Sequence, residues 1–292
     1  MRGGGSILSP RLCLCLMNKS QLIETLAKFD MHPSRRMGQN FLIDPNMLSA
    51  LVQDASVQAG ERVLEIGPGL GVLTGALLDM GCDLTSVELD HRLAEYIKGL
   101  FGDRENFRLV QGDACKQDYD ALMGTPPYRC VANLPYSCST PFLSQISSAA
   151  NPPKEICVLL QKEMADRLSA AHGTKDYGLP TVRIALRYNV RTLRTVPPEV
   201  FFPRPEVSSS FVKFELNGRC EDAALRKTVE AVAAAAFSQR RKKTAGLLKG
   251  AFPDVDAETM LRRVGLPPDV RADAISIDAY IALGREFFKA RQ

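Results

Sequence analysis

Three glycines at alternate positions, with an acid about 20 residues further on, form the first chemically suggestive group in this sequence. Gly67, Gly69 and Gly71 follow the apolar residues 63–66, and Glu88 ends the next apolar run. Glycine tolerates positive φ and lets a ligand approach the backbone closely. A strand, a glycine loop and a helix N-terminus together offer unpaired N–H groups to a ligand. An acid at the end of the second strand can accept hydrogen bonds from ribose hydroxyls.

The spacing of the glycines distinguishes between cofactors that contain a ribose. The loop reads G-x-G-x-G, whereas dinucleotide-binding enzymes carry G-x-G-x-x-G. This spacing favours S-adenosylmethionine (SAM) over NAD. The alternative, from the loop alone, is a purely structural turn.

A second group, Asn133-Leu134-Pro135-Tyr136, has the composition needed for chemistry on the amino group of a base. Such an amino group is a poor nucleophile because its lone pair is delocalised into the ring. Two acceptors, the Asn133 side-chain oxygen and the Leu134 carbonyl, could draw its two N–H bonds towards a tetrahedral nitrogen. Pro135 fixes φ and helps to aim that carbonyl, and Tyr136 offers an aromatic face to an extruded base. The alternative is a turn with a packed tyrosine.

The elements that must position these residues follow from the apolar runs. The predicted strands are residues 63–66, 84–87, 107–111, 128–132 and 155–161, with helical patterns between them. Strands that alternate with helices indicate an α/β fold with a doubly wound parallel sheet. Ligands bind such sheets beyond the carboxyl ends of the strands. Gly67, Glu88, Asp113 and Asn133 each follow a strand, so we expect them to converge there.

The composition is that of a globular protein and excludes several classes of site. Of 292 residues, 45% are apolar, and no apolar run reaches the roughly 18 residues needed to span a membrane. The eight cysteines form no C-x-x-C pair and the three histidines are widely spaced. No metal site is therefore expected, and the cysteines are interpreted as buried thiols of a reducing compartment.

The chain is predicted to contain an extension and two domains. Residues 1–17 are interpreted as an N-terminal extension, a misassigned start or a transit peptide. Residues 18–216 hold the alternating pattern, and residues 217–292 are dominated by helical patterns. The whole excess of positive charge, +4, lies in residues 217–292 and includes the cluster Arg240, Arg241, Lys242 and Lys243. A basic helical module is compatible with a phosphate-rich partner, and a solvated helix start is the alternative.

Several motifs, in the right order from about residue 28 to 285, resemble those of the small-subunit rRNA adenine N6-dimethyltransferases of the RsmA/KsgA type. The matching segments are residues 38–42, 65–70, 87–90, 133–137, 161–163, 201–207 and 239–242. The resemblance implies a class I SAM-dependent methyltransferase fold, Rossmann-like, with a small all-helical C-terminal domain that binds rRNA. It also implies dimethylation of two neighbouring adenosines in a loop near the 3′ end of small-subunit rRNA. One departure, Gly178-Leu179-Pro180, puts the RNA contacts of that loop in doubt.

The resemblance assigns roles to individual residues. By this resemblance, SAM is bound by Asn40, Leu42, Gly67, Gly69, Glu88, Asp113 and Asn133. Methyl transfer takes place at Asn133, Leu134, Pro135 and Tyr136, with Phe201 as the second ring against the target base. Arg240, Arg241, Lys242 and Lys243 are expected to contact RNA. The expected partner is rRNA in the immature small ribosomal subunit, and the expected state is a cytoplasmic monomer without membrane association.

Three rival interpretations remain at this point. An erythromycin-resistance (Erm) type methylase of large-subunit rRNA would share the fold and the chemistry. A mitochondrial relative is compatible with a transit peptide. A ribosome assembly factor could act mainly by binding, although the intact Asn133–Tyr136 motif favours retained activity.

Overall fold

The fold is taken from a computed structural model, which describes residues 19–33, 38–239 and 241–291. The extension predicted over residues 1–17 and the predicted RNA contact Arg240 lie outside these residues. No described helix is both long and apolar enough to cross a membrane.

Helices and strands alternate through the first two thirds of the described chain. The helices are α1 (Lys19–Lys28), α2 (Pro45–Ala55), α3 (Val72–Asp79), α4 (His91–Phe101), α5 (Tyr119–Met123), α6 (Ser139–Ser148), α7 (Lys162–Leu168), α8 (Leu179–Ala185), α9 (Ala223–Phe237), α10 (Thr244–Ala251), α11 (Ala257–Arg263) and α12 (Ile277–Ala290). The strands are β1 (Phe41–Leu42), β2 (Arg62–Ile66), β3 (Asp83–Glu88), β4 (Phe107–Gln111), β5 (Arg129–Asn133), β6 (Glu155–Gln161), β7 (Tyr188–Val196), β8 (Phe201–Phe202) and β9 (Ser209–Leu216).

Seven of the strands form one sheet in the order β4-β3-β2-β5-β6-β9-β7. The pairs β2·β3, β3·β4, β2·β5 and β5·β6 are parallel. Val63 is paired with Leu84 on one side and with Arg129 on the other. Strands buried on both faces carry near-continuous apolar runs, as β5 and β6 do. The predicted α/β sheet is confirmed, and the carboxyl ends of β2, β3 and β5 lie side by side.

Short polar residues set where the helices beside the sheet begin. The Asp44 carboxylate accepts a hydrogen bond from the Met47 backbone N–H at 2.7 Å, and Pro45 occupies the first turn of α2. The Asp90 carboxylate accepts from the Arg92 and Leu93 N–H groups at the start of α4. Such caps satisfy N–H groups that have no partner within the helix.

The chain packs into two compact units, neither of which is continuous in sequence. Among the described residues, unit 1 takes those up to Lys162 together with Thr192–Lys213, and unit 2 takes Glu163–Arg191 together with those from Phe214 onwards. Packing therefore assigns residues 163–191 to unit 2, whereas the sequence prediction divided the chain at residues 216 and 217.

Unit 1 holds the core on which the sheet rests. Val63, Leu77, Ile97 and Phe211 are among its buried members. Outside the large sheet, β1 and β8 pair as a short antiparallel ribbon that joins Leu42 to Phe201. This pairing attaches the segment before α2 to the proline-rich segment 197–205.

Unit 2 is largely helical among its described residues. The helices α9 and α12 pack face to face around Val229, Tyr280 and Leu283. Two buried tyrosines anchor loops to this core, since the Tyr177 hydroxyl donates to the Ile275 carbonyl and the Tyr280 hydroxyl donates to the Ala272 carbonyl.

Candidate active site

A cavity opens at the carboxyl ends of the central strands of unit 1, and it encloses about 880 Å³ including its mouth. Most of the residues that the sequence assigned to the site line it. These are Asn40, Leu42, Gly67, Gly69, Glu88, Asn133, Leu134, Pro135 and Tyr136. The predicted convergence holds for Gly67, Glu88 and Asn133, which all line this cavity. Phe201 and Asp113 are not among its lining residues.

The glycine loop between β2 and α3 allows the backbone to reach the cavity wall. Gly69 has φ of 57°, and a Cβ atom placed on it would lie 2.9 Å from the Phe41 ring. Any larger residue would strain the loop and displace that ring. The Gly67 N–H donates to the Val87 carbonyl at 2.9 Å, which ties the loop to the end of β3.

Glu88, at the end of β3, is held rigidly against this loop. Its Oε2 accepts a hydrogen bond from the Gly69 N–H at 3.2 Å, and its Oε1 accepts from the Asp90 N–H at 2.9 Å. The side chain is only 5% exposed, and burial raises the pKa of its carboxyl above the ordinary value. A carboxylate fixed in this way can accept further hydrogen bonds from the two hydroxyls of a ribose.

Asp113 lies in a recess that adjoins the cavity. Gly67, Glu88 and Pro135 line this recess as well. The Asp113 Oδ1 accepts from the Cys115 N–H at 2.9 Å and caps the 3₁₀ turn after β4. Its Oδ2 lies 3.6 Å from the Lys116 Nζ. Asp113 and the ribose-binding candidate Glu88 thus line the same recess, and contact of Asp113 with the adenine stays a prediction.

The Asn133 side chain is oriented by the segment before α2. Its Nδ2 donates to the Asn40 carbonyl at 2.8 Å, and the Asn40 Nδ2 donates to the Gly38 carbonyl at 3.2 Å. Gly38 approaches so closely that a Cβ atom there would lie 2.9 Å from the Tyr136 backbone nitrogen. The hydrogen bond from Nδ2 restrains the orientation of the Asn133 amide, whose Oδ1 is its acceptor atom.

The backbone carbonyls of the motif differ in their partners. The Pro135 carbonyl accepts from the Cys138 N–H at 3.1 Å, from the Cys138 thiol at 3.3 Å and from the Ser139 hydroxyl at 3.1 Å. These contacts start the turn into α6 and occupy that oxygen. The role of the Leu134 carbonyl as the second acceptor stays a prediction.

The two aromatic residues expected at the target base occupy different places. Tyr136 lines the cavity, and its hydroxyl lies 2.6 Å from the Ser209 Oγ. Phe201 is 2% exposed within the core of unit 1 and pairs with Leu42 of the cavity wall. Its neighbour Phe202 is partly buried, and the Lys19 Nζ lies 5.6 Å from the centroid of its ring.

A family described as ribosomal RNA adenine dimethylase matches residues 32–288 of this sequence. The chain belongs to this family. A ribosomal RNA small subunit methyltransferase A from Methylococcus capsulatus is 38% identical over 254 residues, which cover 87% of this dimethylase and 97% of that relative. A protein of the same name from Paenarthrobacter aurescens is 36% identical over 274 residues, with 92% of each chain covered.

Solved structures have the same fold as this dimethylase. A dimethyladenosine transferase from Plasmodium falciparum aligns with a TM-score of 0.72 at 23% identity and covers 86% of this chain and 98% of its own. The 23S rRNA methyltransferase ErmE aligns with a TM-score of 0.63 at 22% identity, over 84% and 98% respectively. The predicted class I methyltransferase fold is confirmed. As a family member, the chain is an rRNA adenine dimethyltransferase whose cofactor is SAM.

The cavity of the dimethylase fits this cofactor. SAM carries a ribose, an adenine and a net positive charge, and the cavity offers the two buried carboxylates Glu65 and Glu88 beside a glycine loop. One of the carboxylate oxygens, Glu65 Oε1, has no hydrogen-bond partner among the described residues. Unpaired buried acceptors are costly unless a ligand satisfies them. In the described ranges, no group of three or more His, Cys, Asp and Glu residues is arranged to hold a metal ion.

The sequence motifs gave no role to Glu65, which lines the cavity, or to Ser209, which contacts Tyr136. Glu65 belongs to the matched segment 65–70, but only the glycines of that segment were given a role. An acid inside the apolar run of β2 is itself a signal, because a charged residue there is seldom buried without a purpose. Its Oε2 accepts from the Thr74 hydroxyl at 2.8 Å and from the Ser86 hydroxyl at 2.7 Å. Burial raises the pKa of Glu65 to about 7. Ser209 carried no comparable signal, since its partner Tyr136 is remote in sequence.

The basic cluster of the dimethylase belongs to unit 2. Arg241, Lys242 and Lys243 are exposed, directly before α10. Their exposure agrees with a surface that binds phosphates, and their contact with RNA stays a prediction.

Proposed function

We propose that this dimethylase transfers methyl groups from SAM to the N6 amino groups of two adjacent adenosines in a loop near the 3′ end of small-subunit rRNA. The names of the relatives that are 32–38% identical support the choice of the small subunit. The proposed substrate is the immature small subunit, on which the enzyme acts as a monomer in the cytoplasm.

The orientation of the Asn133 amide is the observation that carries the proposed chemistry. With its Nδ2 held by the Asn40 carbonyl, the Oδ1 is left to accept one N–H of the target amine. The Leu134 carbonyl accepts the other N–H. Together they favour a tetrahedral nitrogen whose lone pair is no longer shared with the ring. SAM supplies an electrophilic methyl group on a sulfonium, so that positioning provides much of the rate enhancement.

The proposed role of the aromatic residues is to hold an unstacked adenine. Tyr136 already faces the cavity and offers one ring. Phe201 is proposed for the opposite side of the base, from its place in β8 next to the cavity residue Leu42. RNA-binding proteins recognise bases of loops in this way, because these bases can be splayed out onto aromatic faces.

Labelled SAM tests this function directly. Immature small subunits and, separately, immature large subunits are incubated with the enzyme, and the modified nucleotide is mapped. We expect dimethyladenosine at two neighbouring positions of small-subunit rRNA only. Modification of large-subunit rRNA would instead support the Erm-type activity. The Asn133→Ala variant should bind subunits but leave them unmethylated, and normal subunit maturation with this variant would identify an assembly role that depends on binding alone.

A further inference from the structure

Glu65 is a second buried carboxyl in the cofactor cavity. The proposed contact between Glu88 and the ribose leaves Glu65 without an assigned role. It is 1% exposed, lies near the end of β2 before the glycine loop, and lines the cavity. Two hydroxyls, from Thr74 and Ser86, both donate to its Oε2. Its Oε1 has no partner among the described residues.

The groups that face Glu65 do not neutralise its charge. The second carboxyl of the cavity, Glu88, opposes its ionisation, and the buried thiols of Cys82 and Cys130 lie within electrostatic range. The hydroxyls of Thr74 and Ser86 favour the ionised form but carry no charge. Within the described part of the chain, no Lys, Arg or His acts on this carboxyl. Without a ligand, it therefore ionises only near neutral pH, with a pKa of about 7.

A buried, unpaired carboxylate next to a cationic ligand is a strong electrostatic partner. We propose that Glu65 is the counter-charge for SAM and that binding of SAM expels a proton from its carboxyl. The product S-adenosylhomocysteine lacks the sulfonium charge, so it leaves Glu65 protonated to a greater extent and binds with a weaker dependence on pH. Glu65 thereby discriminates the methyl donor from the spent product. This inference rests on the cofactor and not on the RNA substrate of the proposed function.

Calorimetry of cofactor binding, without RNA, tests the proposal. SAM and S-adenosylhomocysteine are titrated into the full chain between pH 6 and 7.5, in buffers that differ in ionisation enthalpy. At pH 7 about half of the Glu65 carboxyls carry a proton, so each SAM should release about 0.5 proton. SAM should bind about eightfold more tightly at pH 7.5 than at pH 6. The product should release fewer protons and change its affinity by less.

The Glu65→Gln variant removes the titration and keeps the size of the side chain. Its SAM affinity should be independent of pH except for the titration of the cofactor itself, and it should release no additional proton. Glu230→Gln is the matched control, because burial also raises the pKa of Glu230, which lies in unit 2 outside the cavity. This control should behave as the wild type.

Thermal unfolding will show whether Glu65→Gln folds. If it does not, a second variant tests the proposal. Ser86→Ala removes a donor that stabilises the ionised carboxyl, so the pH midpoint of SAM binding should move upwards. The proposal would be overturned if the wild type released no proton on binding SAM, or if Glu65→Gln released as many protons as the wild type. It would also be overturned if SAM and the product released equal numbers of protons. Methylation assays with rRNA are independent of these measurements, so failure here is distinguishable from failure of the proposed function.

Discussion

The hydroxyl of Tyr136 and the Oγ of Ser209 lie 2.6 Å apart, which joins the end of the Asn133–Tyr136 motif to the start of β9. Ser209 is completely buried, so this partner is fixed by the sheet. The hydrogen bond sets the direction in which the ring of Tyr136 faces the cavity. A positioned ring limits the orientations that a stacked base can adopt.

We therefore expect Ser209→Ala to slow methylation about fivefold, from the loss of about 1 kcal/mol of hydrogen bonding. The affinity for SAM should stay the same, and the loss should be seen in kcat and KM for the RNA. Tyr136→Phe should have a similar effect. Combining the two changes should add little, and fully additive losses would contradict a shared role.

Removal of the Glu88 carboxylate should weaken cofactor binding. We expect Glu88→Ala to reduce the free energy of SAM binding by about 1–3 kcal/mol, because ribose hydroxyls would lose their buried acceptor. Calorimetry at a fixed pH measures the change. Glu230→Ala, in unit 2, is the control for loss of a partly buried carboxyl. Unchanged affinity in Glu88→Ala would remove this residue from the cofactor site.

The neighbouring phenylalanines of β8 allow a matched comparison. Phe201→Ala would cost about 3–5 kcal/mol of stability, since the ring is buried in the core, so leucine is the better replacement at both positions. Phe201→Leu should lower methylation about tenfold, from the loss of base stacking, and should accumulate monomethyladenosine because a loosely held base can rotate. Phe202→Leu should have little effect. The reverse pattern would assign the second ring to Phe202.

The basic cluster can be tested through its dependence on salt. Replacing Arg241, Lys242 and Lys243 with alanine should weaken binding of an rRNA fragment and flatten the plot of log affinity against log salt, by about 0.7–0.9 per lost phosphate contact. Cofactor affinity should not change. Lys289→Ala is the control, because that lysine is paired with Glu286 in α12. An unaltered slope would indicate a solvated helix start.

The cofactor-free protein should lose stability as pH rises. An unfolded chain releases the Glu65 proton near pH 4.5, whereas the folded chain retains it to about pH 7. The folded state thus binds more protons, so the free energy of unfolding falls across this window, by up to about 3 kcal/mol. Urea unfolding at pH 4.5 to 8 measures it. Glu65→Gln should lack this component, and parallel curves for variant and wild type would contradict the assignment.

Local signals were sufficient for much of the site. The apolar runs predicted β2 to β6, and strand ends then placed Gly67, Glu88 and Asn133 at one edge without further information. The β1–β8 ribbon was not predictable, because two-residue strands carry no periodicity and Leu42 and Phe201 are far apart in sequence. The burial of Phe201 follows from that ribbon. The helix α8 was missed as well, since its seven residues are too short for a clear pattern.

Each unit is built from two separate segments of the chain, which restricts where the gene can be truncated or recombined. A truncated chain that stops at residue 216 would keep Tyr177, Val182 and Leu186 but lose the downstream helices that bury them. We expect such a fragment to precipitate or to be retained by chaperones, because it exposes an apolar surface that the intact protein covers. Chimaeras with relatives should therefore fold only when residues 163–191 and the C-terminal segment come from the same parent, because these two segments form one unit.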